Sequence, residues 1–136
     1  MEQITIHVEL EINPTEDESK VKATLNNVLS NYTINFKTSE TGTLILAEAE
    51  GQDALIKFRN LLRNDRIRDA ARKVFFKSTR GNTIMFCLNK QVAFAGHISF
   101  CEETAESPLG PIKFIIKTEQ PIQLIDWLAE KPNNRK

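Results

Sequence analysis

Apolar and polar residues alternate without a break at the start of the chain. Ile4, Ile6, Val8, Leu10 and Ile12 fall on one side, and Thr5, His7, Glu9 and Glu11 on the other. A period of two predicts a strand with one buried face. Asn13-Pro14 ends it. Thr15 followed by Glu18 has the spacing of a capping box, and Glu16 and Asp17 suit the positive end of a helix dipole. Val21, Leu25, Val28 and Leu29 then recur at helical spacing. Two strands are predicted next, over 33–37 with Ile34 and Phe36 facing inward, and over 43–49 after Thr41-Gly42. Gly51 breaks the chain. Leu55, Phe58, Leu61 and Leu62 mark one helix, Asn64-Asp65 a break, and Ile67, Ala70, Ala71, Val74 and Phe75 a second helix. Arg80-Gly81-Asn82 is expected to close it, with Gly81 as a left-handed cap.

Residues 83–88 and 92–101 read as the arms of a hairpin joined by the polar turn Asn89-Lys90-Gln91. Their parity sets Ile84, Phe86, Leu88, Val92, Phe94, Ile98 and Phe100 inward, and Met85, Cys87, Ala93, Ala95, His97, Ser99 and Cys101 outward. A Pro-rich loop follows (Glu106-Ser107-Pro108-Leu109-Gly110-Pro111), then a strand over 113–117, a helix over 121–128 and a polar tail. The sum is an α+β fold: a mostly antiparallel sheet with helices packed on one face and a polar or small-residue far face. The expected organisation is a single domain over 1–130 and a tail over 131–136.

Composition agrees with a packed core: of 136 residues, 40% are hydrophobic and 26% charged. The two cysteines, Cys87 and Cys101, form no Cys-x-x-Cys pair. With no basic start and no apolar run of membrane length, the expectation is a reduced, cytoplasmic protein without a signal peptide or membrane span. None of the five glycines lies in a phosphate-loop pattern. His7, His97 and the two cysteines are too few and scattered for a zinc site, so neither metal nor cofactor is expected. On a shared strand, His97 and Cys101 would stand about 13 Å apart, too far for a nucleophile–base pair. Glu102, Glu103 and Glu106 read as a solvated loop. No catalytic motif emerges, and the expectation is a non-enzyme.

Charge changes the picture most. The net charge is zero, yet residues 1–56 carry three basic against ten acidic residues, and residues 57–90 carry ten basic against two acidic. Lys57, Arg59, Arg63, Arg66, Arg68, Arg72, Lys73, Lys77, Arg80 and Lys90 make up the basic set, with Asp65 and Asp69 as the acids nearest in sequence to blunt it. Six of the ten are arginine, a planar, multidentate phosphate ligand. Solvated helix flanks often look like this, but so much charge in one segment points to a polyanion. The expected phosphate contacts are Arg66, Arg68, Arg72, Lys73, Lys77, Arg80 and Lys90, with Asn82, Asn89 and Gln91 adding neutral hydrogen bonds. The outer sheet face offers no aromatic platform, so backbone and shape contacts are expected rather than base reading. Two rival readings remain. One is a protein-interaction module, with a homodimer contact through Ala93, Ala95, Ser99 and Cys101 or docking through the 102–112 loop. The other is an enzyme built around His97 and Cys101.

Several blocks also resemble a known family. They are Pro14-Thr15-Glu16-Asp17-Glu18, Arg66-Ile67-Arg68-Asp69-Ala70-Ala71-Arg72, and Gly81-Asn82-Thr83 running on to Phe86-Cys87-Leu88-Asn89-Lys90-Gln91-Val92-Ala93-Phe94-Ala95-Gly96. Glu106-Ser107-Pro108-Leu109-Gly110-Pro111-Ile112 and Ile125-Asp126-Trp127-Leu128-Ala129 complete the set. In this order they resemble an archaeal family of predicted RNA-binding proteins or predicted exosome subunits. The resemblance implies a fold like that of large-subunit ribosomal protein five. It also implies RNA as a partner and an exosome or other RNA-processing complex as the setting. It brings no catalytic residues.

Overall fold

The computed structural model describes residues 3–39, 42–101 and 110–130. Among these, seven strands form one antiparallel sheet and five helices accompany it. The strands are β1 (Ile4–Ile12), β2 (Thr33–Ser39), β3 (Gly42–Glu50), β4 (Thr79–Arg80), β5 (Thr83–Asn89), β6 (Phe100–Cys101) and β7 (Pro111–Thr118). The helices are α1 (Glu18–Val28), α2 (Ile56–Asn64), α3 (Arg68–Ser78), α4 (Lys90–Phe94) and α5 (Pro121–Leu128). Sheet order is β2-β3-β1-β7-β5-β4, and β6 also pairs with β5. None of the helices among the described residues is long and apolar enough to cross a membrane.

The alternation in β1 does what its period demands. Every apolar residue is buried and every polar one half-exposed. Register carries that face across the sheet: Val8 lies opposite Ala47 on one side and Phe114 on the other, and Phe114 opposite Phe86. The helices cover this face and join one core with it. Phe58 of α2 stacks on Phe86 and Phe114 at 5.4 and 5.5 Å, and Phe75 of α3 leans on Phe86 at 5.0 Å. Each such ring contributes about 1.5–3 kcal/mol by burial alone. Gly42 is fixed by crowding, because a Cβ there would lie 2.2 Å from the Ile12 carbonyl oxygen.

Several sequence expectations are corrected. Asp17, not Thr15, caps α1, accepting from the Ser19 N–H at 2.9 Å. Glu16 instead bonds the Asn13 N–H at 2.9 Å, closing the turn before the helix. Phe36 is 50% exposed, because edge strand β2 overhangs the core; the Lys22 ammonium sits 5.3 Å from its ring. Ala70 is exposed as well. The α2–α3 break is a Schellman turn in which Ile67 N–H bonds Leu62 O, Arg66 N–H bonds Arg63 O, and Arg66 takes φ +59°. Gly81 is left-handed at φ +59° but caps no helix. α3 ends at Ser78, and Gly81-Asn82 is the two-residue turn of the β4–β5 hairpin.

The largest correction concerns 89–101. Asn89-Lys90-Gln91 is not a hairpin turn. Asn89 caps α4, accepting from the Val92 N–H at 2.9 Å, and Lys90 and Gln91 are helical. The predicted parity inverts at the helix, where Ala93 is buried and Phe94 is 45% exposed, and fails at Cys87, which is buried; Ile98 is buried and Ala95, His97 and Ser99 are exposed as expected. Only Phe100 and Cys101 pair with β5, opposite Leu88 and Cys87. The N–H groups of Ala95, Gly96 and His97 close α4 on the carbonyls of Gln91, Val92 and Ala93. Asn27 ties this end to α1, donating to Ala93 O at 2.9 Å and to Phe94 O at 3.2 Å. The predicted loop over 106–111 falls largely outside the described residues, as do Glu102, Glu103 and Glu106 and the polar tail.

Candidate nucleic-acid interface

The basic segment spans α2, α3 and β4, and the fold sorts its cations into two groups. The first is drawn onto the end of α5. The Arg72 guanidinium meets Asp126 Oδ1 at 2.7 Å, donates to Ala129 O at 3.0 Å and lies 5.2 Å from the Phe76 ring. Arg68 pairs with Glu130 at 3.3 Å. Arg59 donates from Nε to Trp127 O at 2.8 Å, its guanidinium 5.0 Å from the indole centroid. Trp127 and Ala129 expose carbonyls at the negative end of α5, where cations are favoured. Among the described residues the acids that pair with Arg68 and Arg72 thus lie in and just after α5, far away in sequence, rather than at Asp65 or Asp69.

Lys90 goes further inward. It is 3% exposed, and its ammonium bonds the Glu11 carbonyl oxygen and pairs with Glu16 at 3.1 Å. It ties α4 to the end of β1 and the turn before α1, and presents no charge to the surface. Asn89 is spent on its cap. Lys57 donates to Asn26 O at 2.8 Å.

The second group faces outward. Arg63, Arg66, Lys73, Lys77 and Arg80 are exposed and, among the described residues, make no ion pair. Lys73 and Lys77 lie one turn apart on the flank of α3 turned away from α5. Arg80 Nη1 donates to Lys77 O at 2.9 Å and Thr79 O at 3.0 Å. This anchors the guanidinium where α3 runs into β4 and keeps the rest of its donor fork for an oxygen ligand. Asn82 is exposed beside it in the hairpin turn; Gln91 is exposed on α4, away from this group.

Between the last turn of α3 and β5–β6 lies a cavity of about 500 Å³. Val74, Lys77, Ser78, Arg80, Met85, Phe86, Cys87, Phe100, Cys101 and Lys113 line it. Three of these are cations and, among the described residues, none is acidic. A second cavity of about 360 Å³, between α1 and α4, is lined by Glu16 and Asp17 as well as Lys20 and Lys90, so its charges cancel. Sequence reasoning missed Lys113, which enters only because β7 lies beside β5 with Cys87 opposite it.

His97 and Cys101 do not share the strand expected for them, since β6 holds only Phe100 and Cys101. His97 follows α4, and its Nδ1 meets Asp65 Oδ1 at 3.0 Å. Asp65 Oδ2 also accepts from the Ile98 N–H at 2.8 Å. Burial pushes the Asp65 carboxyl up, but the bonds from His97 and Ile98 and the His97 charge outweigh it and hold it below the usual carboxylate range. No group of three or more His, Cys, Asp or Glu side chains among the described residues could hold a metal.

Comparison with known proteins decides the family. The model of a family described as RNA binding matches residues 5–118. The chain belongs to this RNA-binding family. A UPF0201 protein of Pyrobaculum islandicum is 46% identical over 127 residues, covering 93% of this chain and 89% of its own. One from Sulfurisphaera tokodaii is 44% identical, covering 93% and 87%. The crystal structure of a UPF0201 protein from Methanococcus jannaschii superposes with a TM-score of 0.80 at 26% identity, covering 96% of each chain. A DUF54 protein of Methanothermobacter thermautotrophicus, 19% identical over 94% of this chain and 99% of its own, shares the fold at a TM-score of 0.58. The family description names RNA and no reaction.

Proposed function

We propose that this chain is an RNA-binding accessory protein that grips the phosphate backbone with Lys73, Lys77 and Arg80, flanked by Arg66 at the start of α3. Membership of the RNA-binding family supports the partner. The observation that carries the site is the division of the cations: Arg59, Arg68, Arg72 and Lys90 have partners inside the fold, whereas these four point outward without an ion pair among the described residues. Arg66 adds a smaller argument. Its left-handed backbone favours glycine, so an arginine there sets a surface cation against roughly 1 kcal/mol of strain. Phosphate contacts of this kind position an RNA without reading its bases. Work beside an exosome or another RNA-processing complex, on a scaffold like ribosomal protein five, fits the family resemblance. The homodimer contact expected through Ala93, Ala95, Ser99 and Cys101 has no continuous sheet face to use, because Ala93 is buried in α4 and only Cys101 of the four lies in a strand.

The test is titration of the purified protein with a mixed pool of structured and single-stranded RNA at two salt concentrations. Binding should weaken with salt at a log–log slope of about −0.7 to −0.9 per contacted phosphate. Absence of binding at low salt removes the reading.

A further inference from the structure

We infer that Phe76 is a stacking platform for one unpaired base of the RNA, whose phosphates run over Lys73, Lys77 and Arg80. This rests on the RNA-binding reading and deepens it from a backbone grip to a preference for single-stranded or looped RNA. Three observations carry it. The first is placement: Phe76 stays 42% exposed on α3, one turn after Lys73 and directly before Lys77. Arg80 folds back to the same end of the helix, donating to Lys77 O at 2.9 Å. Asp69, one turn before Lys73, bounds the basic stretch at its other end. The second is support. The Arg72 guanidinium lies 5.2 Å from the Phe76 ring and is itself tied to Asp126 and Ala129 O, so the ring is backed by a group that is held in place. The third is the neighbour on α5. Arg68 with Glu130 and Arg72 with Asp126 set an antiparallel register, in which four residues forward on α3 match four residues back on α5. The next rung sets Phe76 beside Ile122, which is 61% exposed. Two rungs of this ladder are charged and paired; the third is apolar and open to solvent.

A ring held by its neighbours, an aliphatic side chain at its edge and cations alongside are what an unstacked nucleotide needs: an apolar face for the base and point charges for its phosphates. A base inside a duplex does not reach such a platform, because its faces are already stacked. The other two exposed phenylalanines among the described residues lack this setting. Phe36 has Lys22 beside it, and Lys22 is paired with Glu18 at 3.0 Å. Phe94 borders the cavity that Glu16 and Asp17 line.

The experiment titrates the wild type, Phe76→Leu and Phe76→Trp with a single-stranded oligoribonucleotide and with a blunt duplex of the same sequence. The wild type should prefer the single strand. Phe76→Leu stays apolar but loses the aromatic face, and should lose roughly tenfold of single-strand affinity, as for one base–ring contact. Phe76→Trp should match or exceed the wild type, and neither variant should change in duplex affinity. The new indole should also be quenched by the single strand, beyond any change that Trp127 shows in the wild type. Equal affinity of the wild type for both RNAs, equal losses on both from Phe76→Leu, or an unquenched indole overturns the stacking inference and leaves backbone binding standing. Full single-strand affinity of Phe76→Leu also overturns it, and assigns the Phe76–Ile122 patch to a protein partner. Failure of the wild type to bind either RNA sinks the underlying reading. Circular dichroism checks the fold of both variants; if Phe76→Leu misfolds, the quenching of Phe76→Trp decides.

Discussion

The two flanks of α3 carry similar charge and do different things. On one, Arg68 and Arg72 reach Glu130, Asp126 and the carbonyl of Ala129, and with Arg59 they hold the last turn of α5 in place. On the other, Lys73 and Lys77 look outward and Arg80 continues their line into the hairpin. A cation's neighbours, not its place in a basic run, decide whether it serves the fold or a ligand. Arginine serves the first flank well because its fork bonds a carboxylate and a carbonyl at once. Lysine suits the second, where a point charge need only sit near a phosphate.

The sharpest way to break this comparison lies at the inward extreme. Lys90→Met leaves Glu16 buried against an apolar side chain. It should cost about 3–5 kcal/mol of stability, read as a drop in the urea midpoint, with RNA affinity of the folded fraction unchanged. Next, Lys77→Glu with Arg80→Glu should lower RNA affinity roughly 100-fold at low salt and make the log–log salt slope shallower by about two contacts. Its thermal midpoint should stay near that of the wild type. A matching loss of affinity from Arg72→Met would erase the distinction between the flanks. That substitution should instead lower stability by about 1–2 kcal/mol and shift affinity by less than about twofold, measured by denaturation and titration side by side.

The smallest effect is at the α2–α3 bend. The Asp65 carboxyl is held below its ordinary range in the folded state, so the stability it adds is present above the unfolded value. It is lost as pH falls through the folded one. Asp65→Asn should remove about 1 kcal/mol near neutral pH and flatten this acid-side slope. An unchanged slope would show that the His97 and Ile98 bonds do not depend on the charge.

The candidate site was half legible in the sequence. The basic segment and its polyanionic bias stand out in residues 57–90. Helical spacing also sets Arg66, Lys73 and Lys77 on one flank of α3 and Arg68 and Arg72 on the other. That the second flank is neutralised is not legible, because the acids that take up Arg68 and Arg72 lie 62 and 54 residues away. Lys90 looked like a turn residue because Asn89-Lys90-Gln91 is polar and flanked by β-rich sequence. Asn89 is a helix cap instead, and the partners that bury Lys90 are 79 and 74 residues away.

What the sequence determined by itself is whatever has a local period or a local stop. The alternation of β1, the apolar stripes of α1, α2 and α3, the break before Arg66, the limits of α5 and the antiparallel α+β class follow from spacing and from Pro and Gly. The tertiary structure alone decided matters set by distant partners. Asn27 ties α4 to α1, acids in and just after α5 neutralise one flank of α3, and β7 brings Lys113 beside the cavity. Periodicity reports which face of an element is buried; it carries no record of what that face meets.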